Sequence, residues 1–249
     1  MTPLSPRGVG AHRGGAAGAP ENTCAAFREA ARLGAHMIEF DLRRSADGEI
    51  AVLHDPTVDR TTGGRGALAS LRWDEVRALD AGSHHGDAFA GERIPSFTEA
   101  LAAIPRDVWI NVQIKEGEPI AADVVRRLAD DDRLTQAFVA GDDATLAAAR
   151  EACPEVLVCP LSRQRTRADY VEHALRLRAE FIQFHWLRGA PEPELVARCK
   201  DRGLRVNFFC GPRDDAAALW QAGIDFPLVD DVAAALAAAG RLGIAPLSR

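Results

Sequence analysis

His36-Met37-Ile38-Glu39-Phe40-Asp41-Leu42, then Asp47-Gly48, then Ile50-Ala51-Val52-Leu53-His54 is the stretch on which the fold turns. Both runs are apolar enough for strands, and an Asp-Gly between two such runs marks a hairpin rather than a crossover. Seven further strand-like pieces lie at 9–12, 108–114, 137–140, 156–161, 181–184, 204–209 and 226–229. Ala-rich amphipathic segments separate them at 22–33, 121–128, 145–152, 170–179, 194–200 and 215–221, and a closing helix is expected at 232–239. Parallel strands need crossovers and helices supply them, so the alternation implies a parallel α/β sheet. Nine strand candidates less one hairpin leave eight βα units in 249 residues, the size of a TIM (β/α)8 barrel. A doubly wound open sheet is the structural alternative.

One segment breaks the rhythm. Residues 56–95 carry Gly63, Gly64, Gly66, Gly82, Gly86 and Gly91 with little strand pattern, which reads as a small insertion after the second barrel strand. A short helix is expected at 70–79, with Ser70 as N-cap and Trp73 and Val76 on its apolar side. No repeat or linker divides the chain, so a single domain over 1–249 is expected. With 30 Lys+Arg against 36 Asp+Glu the net charge is −6, which offers no basic footprint for nucleic acid. No apolar run approaches the roughly 18 residues that span a bilayer, and residues 1–10 do not read as a secretory signal. Cys24, Cys153, Cys159, Cys199 and Cys210 contain no CxxC pair, which fits a reducing cytoplasm better than a disulfide framework. The expected protein is cytoplasmic, with no stable membrane insertion and an oligomeric state that the sequence leaves open.

Polar clusters sit at the strand ends, where a barrel builds its sites. The first is His12-Arg13-Gly14. The second is Glu39-Phe40-Asp41, whose period-two spacing aims both carboxylates at one sheet face. The third is His54-Asp55. A two-residue turn at Asp47-Gly48 would set residue 46 against 49 and place His54 opposite Asp41, on the same face. Two inward carboxylates repel, and a divalent cation held by oxygen, Mg²⁺ or Ca²⁺, is the simplest remedy; ion pairs with Arg43 or Arg44 are the alternative. His12 and His54 can serve as a general acid–base pair near neutrality. Arg13 presents a planar fork to phosphate. Asn111, Gln113 and Lys115 share one face of a strand, and Lys115 at its end is a phosphate partner or a solvated surface lysine. His84-His85 reads as a solvated loop, His185 as either a substrate contact or packing, and Cys210 as inert.

The order Ala11-His12-Arg13-Gly14, Pro20-Glu21-Asn22-Thr23, Ile38-Glu39-Phe40-Asp41, Val52-Leu53-His54-Asp55 and Asp59-Arg60-Thr61-Thr62-Gly63-Gly64-Arg65-Gly66 resembles the glycerophosphodiester phosphodiesterase family. Arg93 to Leu101 resembles the segment by which that family re-enters its barrel. The match is dense over residues 11–115. The resemblance implies a TIM barrel with a small insertion and hydrolysis of glycerophosphodiesters to sn-glycerol 3-phosphate and an alcohol. It implies His12 and His54 as the acid–base pair, Glu39 and Asp41 as ligands of one divalent cation, and Arg13 and Lys115 on the phosphate. It places Glu21 where it would orient the His12 loop beside the substrate. The glycerol 2-hydroxyl would attack phosphorus and give a cyclic phosphate that water opens.

Two departures qualify the resemblance. The family's Asn-x-Glu-x-Lys strand has a third metal-binding Glu, and here that position is Gln113, a neutral oxygen donor at best. Phe208-Phe209-Cys210-Gly211 replaces a Trp-Thr-Val-Asn stretch, with Phe208 as either a pocket wall or core, and Val229-Asp230 replaces Thr-Asp. Two other functions are therefore carried: a weakened protein that only binds phosphodiesters, and a lysophospholipid or sphingolipid phosphodiesterase that releases a cyclic phosphate.

Overall fold

The chain enters its sheet at β1 (Gly10–Ala11) and returns to it at β2 (Met37–Arg44), β3 (Ile50–Val52), β4 (Trp109–Ile114), β5 (Ala137–Gly141), β6 (Leu157–Pro160), β7 (Phe181–His185), β8 (Arg205–Phe209) and β9 (Phe226–Val229). The structure is a computed structural model that describes residues 4–115, 117–162 and 164–248. All nine expected strands are present. Eight are parallel and hydrogen-bonded in the order β6-β5-β4-β2-β1-β9-β8-β7, while β3 pairs antiparallel with β2. This is a nearly closed (β/α)8 barrel, not an open sheet.

The helices are α1 (Cys24–Leu33), α2 (Trp73–Ala78), α3 (Phe97–Ala103), α4 (Ala121–Asp130), α5 (Asp143–Ala152), α6 (Arg167–Arg176), α7 (Pro193–Asp201), α8 (Ala216–Gln221) and, after the last strand, α9 (Val232–Arg241). Their starts are set by oxygen side chains. Thr23, Ser96, Asp142, Thr166, Asp215 and Asp231 each accept a backbone N–H of the first turn, which satisfies a donor that the helix itself leaves open. α1 therefore begins two residues later than the expected 22. The helix expected at 70–79 is shorter too: Ser70 ends a 3₁₀ turn, Leu68–Ser70, and α2 starts at Trp73. The Glu75 carboxylate accepts the Arg72 N–H (2.8 Å), so the helix is capped at Arg72, two residues past Ser70. Between β3 and α3, residues Val58, Leu68, Val76, Ala81 and Ile94 close over Ala51 and Leu53 as a small core of their own.

Strand alternation sorts the barrel wall into two faces. Ile38, Phe40 and Leu42 of β2, with Ile110, Val112 and Ile114 of β4, pack outward against the helices. Met37, Trp109, Phe138, Phe181, Phe226 and Leu228 fill the inside. Above that apolar floor the inward positions turn polar: Glu39 lies beside Asn111 and Asp41 beside Gln113 in the β2–β4 register.

Two local features differ from the expected reading. The hairpin is one residue longer in its turn: Ser45 N–H donates to Glu49 O (2.9 Å) and Gly48 N–H to Ser45 O (3.1 Å), with Gly48 at φ +94°. A three-residue loop closed by a left-handed glycine is a standard hairpin solution. It pairs Leu42 with Val52 and Arg43 with Ala51, so Leu53 and not His54 stands opposite Asp41. The second feature is the seam between β6 and β7, which form no ladder. Pro160 has no N–H to give. The Val158 N–H is taken instead by the Glu180 carboxylate (2.9 Å), and Glu180 N–H reaches Val158 O at 3.3 Å. The Tyr170 hydroxyl donates to Pro160 O and accepts the Gln183 N–H. Among the described residues no helix is long and apolar enough to cross a membrane.

Candidate active site

A cavity of about 700 Å³ opens at the C-terminal ends of the strands, and His12, Arg13, Glu39, His54, Gln113 and Lys115 line one half of it. Asp41 lies behind that lining, 1% exposed. His54 arrives although the hairpin register differs, because the chain leaves the β3 ladder after Val52. Its carbonyl is then fixed by the Arg43 guanidinium (2.9 Å).

Both histidines are held the same way. His12 Nδ1 lies 2.7 Å from Asp230 Oδ1, and His54 Nδ1 lies 2.7 Å from Asp55 Oδ1. A carboxylate cannot donate, so each Nδ1 carries the hydrogen and each Nε2 is left for chemistry. Phe209 packs its ring 4.2 Å from that of His12. Burial pushes His54 below its ordinary value, helped by Lys115 and Arg13 and opposed by Asp41 and Asp55, which favours the neutral ring.

Arg13 adopts φ +51°, a costly conformation for a residue with a side chain. It turns the Arg13 N–H onto Glu39 Oε2 (2.8 Å). The guanidinium meets Glu21 (2.8 Å) and approaches Asp41 (3.5 Å). Glu21 is outside the cavity lining and is gripped also by Arg60, which binds Asp55 in turn. Arg13, Glu21, Arg60, Asp55 and His54 thus form one chain of ion pairs. Lys115 Nζ donates to Asp41 Oδ1 (3.0 Å), and Asn22 Nδ2 to Asp41 Oδ2 (2.9 Å). Burial raises Asp41, but Lys115, His54, Arg13 and Asn22 outweigh it and hold the carboxylate low. Burial and the neighbouring Asp41 push Glu39 the other way, up to about 7.

The donor set suits a hard cation. Glu39 Oε1 is buried with no hydrogen-bond partner among the described residues, and so is Asn111 Oδ1 in the adjacent register position. Unsatisfied buried oxygens of this kind call for a positive neighbour. Among the described residues no cluster of three or more His, Cys, Asp or Glu side chains forms a site, so the acids at hand are Glu39 and Asp41, with Gln113 as the neutral third oxygen.

The sequence profile of the glycerophosphoryl diester phosphodiesterase family matches residues 12–233. The chain belongs to that family. It is 32% identical over 229 residues to a glycerophosphodiester phosphodiesterase of Caldanaerobacter subterraneus subsp. tengcongensis, an alignment covering 89% of this chain and 93% of that one. A glycerophosphodiester phosphodiesterase structure from Agrobacterium tumefaciens superposes with a TM-score of 0.80 at 25% identity, covering 91% of this chain and 97% of that one. An Oleispira antarctica phosphodiesterase, solved with the product sn-glycerol-3-phosphate, gives 0.81 at 26% identity, with 94% and 96% covered. The protein is accordingly a phosphoric diester hydrolase that acts on glycerophosphodiesters.

Around the glycerophosphodiesterase cavity the sequence marked Asp230 only as part of Val229-Asp230 in place of Thr-Asp, without tying it to His12, and gave Phe209 and Leu187 no role. Phe209 and not Phe208 faces the cavity, since Phe208 is fully buried on the helix side of β8. His185 lines the cavity and accepts the Leu187 N–H on Nδ1 (3.1 Å). Leu187 is 70% exposed at the rim beside Trp186, an apolar lip that the composition of the chain does not advertise. Burial pushes the Cys210 thiol up to about 12, which makes it a poor nucleophile.

Proposed function

We propose that this enzyme cleaves glycerophosphodiesters to sn-glycerol 3-phosphate and an alcohol, with His12 and His54 as the acid–base pair. The observation that carries the proposal is the matched pair of carboxylate-held imidazoles whose Nε2 atoms are left for one cavity. One imidazole removes the proton from the attacking oxygen, and the other returns a proton to the departing alkoxide as its P–O bond breaks. When the attacking oxygen is the glycerol 2-hydroxyl, the first product is a cyclic phosphate, and water then opens it with the roles reversed. A tethered nucleophile has little association entropy left to lose. Arg13 and Lys115 neutralise the phosphoryl oxygens, and Glu21 keeps Arg13 in place by direct ion pairing. Glu39, Asp41 and Gln113 would hold one divalent cation, Mg²⁺ or Ca²⁺. When bound, the cation supplies charge stabilisation at phosphorus.

The test is glycerol 3-phosphate release from glycerophosphocholine and glycerophosphoethanolamine with EDTA, Mg²⁺ or Ca²⁺. Activity that needs the cation and falls at least about a hundredfold in His12→Ala and in His54→Ala is expected. Full activity in either variant would overturn the assignment. Catalysis lost to Gln113 would instead leave a phosphodiester-binding protein, recognisable by product binding without turnover. The exposed Leu187 and Trp186 favour one further reading, a lysophospholipid phosphodiesterase, which turnover of lysophosphatidylcholine to a cyclic phosphate would establish.

A further inference from the structure

The other half of the cavity, built by the ends of β6, β7 and β8, is cationic. Among the described residues that line it there is no carboxylate, while Arg167 and Arg188 both reach it. Arg167 is committed to structure: its guanidinium donates to the carbonyls of Arg188, Gly189 and Ala190 and pairs with Glu192 (3.3 Å). Those bonds shape the loop from which Arg188 projects. Arg188 itself donates to Gln164 O at the long distance of 3.4 Å, so its fork spans the cavity rim between the β6–α6 and β7–α7 loops, and no carboxylate among the described residues pairs with it. Below it, the His185 Nδ1 accepts a backbone N–H, which leaves Nε2–H as a donor when the ring is neutral. Burial keeps that ring on the neutral side.

Among the described residues of this half, an ammonium-bearing arm of a substrate finds no acid to meet it. It needs an acid or an open aromatic face. The Phe209 ring is covered by His12 and by the edge of His185, and Trp186 is stacked on His185 and packed against Gly211, whose missing Cβ makes room for it. An anionic arm meets a guanidinium fork, the better geometry for carboxylate or phosphate.

We propose that this half of the cavity receives a leaving alcohol that carries a second acidic group, a carboxylate or a phosphate, and that Arg188 binds that group. The proposal rests on the phosphodiesterase reading above. Two substrate pairs isolate the charge. Glycerophosphoserine differs from glycerophosphoethanolamine by one carboxylate, and glycerophosphoglycerol 3′-phosphate differs from glycerophosphoglycerol by one phosphate. In the cation-loaded wild type, kcat/KM should favour the acidic member of at least one pair by about tenfold, mainly through KM. Arg188→Gln should bring that ratio near one, and Arg188→Lys should keep part of it. Preference in one pair alone supports the proposal and identifies the acid. Ratios at or below one in the wild type, or a preference that survives Arg188→Gln, overturn the proposal while hydrolysis of the members that lack the second acidic group leaves the phosphodiesterase reading intact. No hydrolysis of any of the four overturns both.

Discussion

Asp230 is the residue on which His12 depends most directly. Its carboxylate fixes which imidazole nitrogen faces the cavity, yet its side chain is 56% exposed, so it contributes to orientation far more than to folding. Asp230→Ala is expected to lower kcat by about tenfold or more while leaving the melting temperature within about a degree, because a surface ion pair adds little stability. Turnover measured beside a thermal melt checks it: a fall in kcat with the melt in place is expected, whereas a variant that melts lower and turns over normally would show that the contact only packs. Gln113 makes the opposite experiment possible. Gln113→Glu adds a charge beside Asp41 in the β2–β4 register and near Glu39, whose Oε1 already lacks a partner. Without a cation the variant should melt lower than wild type, since a third carboxylate beside Asp41 and Glu39 adds like-charge repulsion. With Mg²⁺ or Ca²⁺ it should gain more than wild type does, and titration calorimetry should show tighter cation binding. An unchanged melting temperature and affinity would place the residue away from the cation. The residue types at this site were legible because carboxylates and imidazoles at strand ends have few structural uses. The partner of His12 was not legible, because Asp230 is more than two hundred positions from it in the chain and only the closed barrel makes them neighbours.

At the level of elements, the strands and most helices could be read from alternation and capping residues, but the joints between strands could not. The hairpin shows why. An Asp-Gly pair identifies a turn and does not count its residues, and one extra residue shifts every partner. The β6–β7 seam is a second joint hidden in the sequence, although Pro160 within a strand is a mark of a missing ladder bond. Tyr170 compensates for it with one hydroxyl that serves as donor to Pro160 O and acceptor for the Gln183 N–H. Tyr170→Phe leaves both backbone groups unpaired in a half-buried place and should cost about 1–3 kcal/mol in chemical denaturation. The lost bonds join consecutive barrel strands, so hydrogen exchange at β6 and β7 should quicken before exchange at β2 and β4 does. Uniform quickening throughout the barrel would show that the seam is not a separate weak point.

Across the molecule, the ion-pair chain that ends on Arg13 and His54 joins the β1 loop, the segment after β3 and the first part of residues 56–95 through Arg60. Hydrogen bonding to Arg60 brings Asp55 down to about 2, with His54 adding to it. Burial raises Glu21, yet Arg60 and Arg13 outweigh it and hold it below its ordinary value. Carboxylates whose folded pKa lies below the unfolded one, about 3.9 for Asp, contribute stability that is complete above that unfolded value and is lost as pH falls through the folded one. The window for Asp55 is therefore from about pH 4 down to about pH 2. Arg60→Gln should melt below wild type at pH 6, and the gap should narrow through that window as the acids that Arg60 holds become neutral. Solvent around the half-exposed Arg60 screens these pairs, so the gap should also shrink in high salt. Activity gives the second readout. Because the same arginine holds both Glu21 and Asp55, its loss should lower kcat/KM at pH 7 even where the fold is intact, and a variant that melts lower but turns over normally would separate the network from the site.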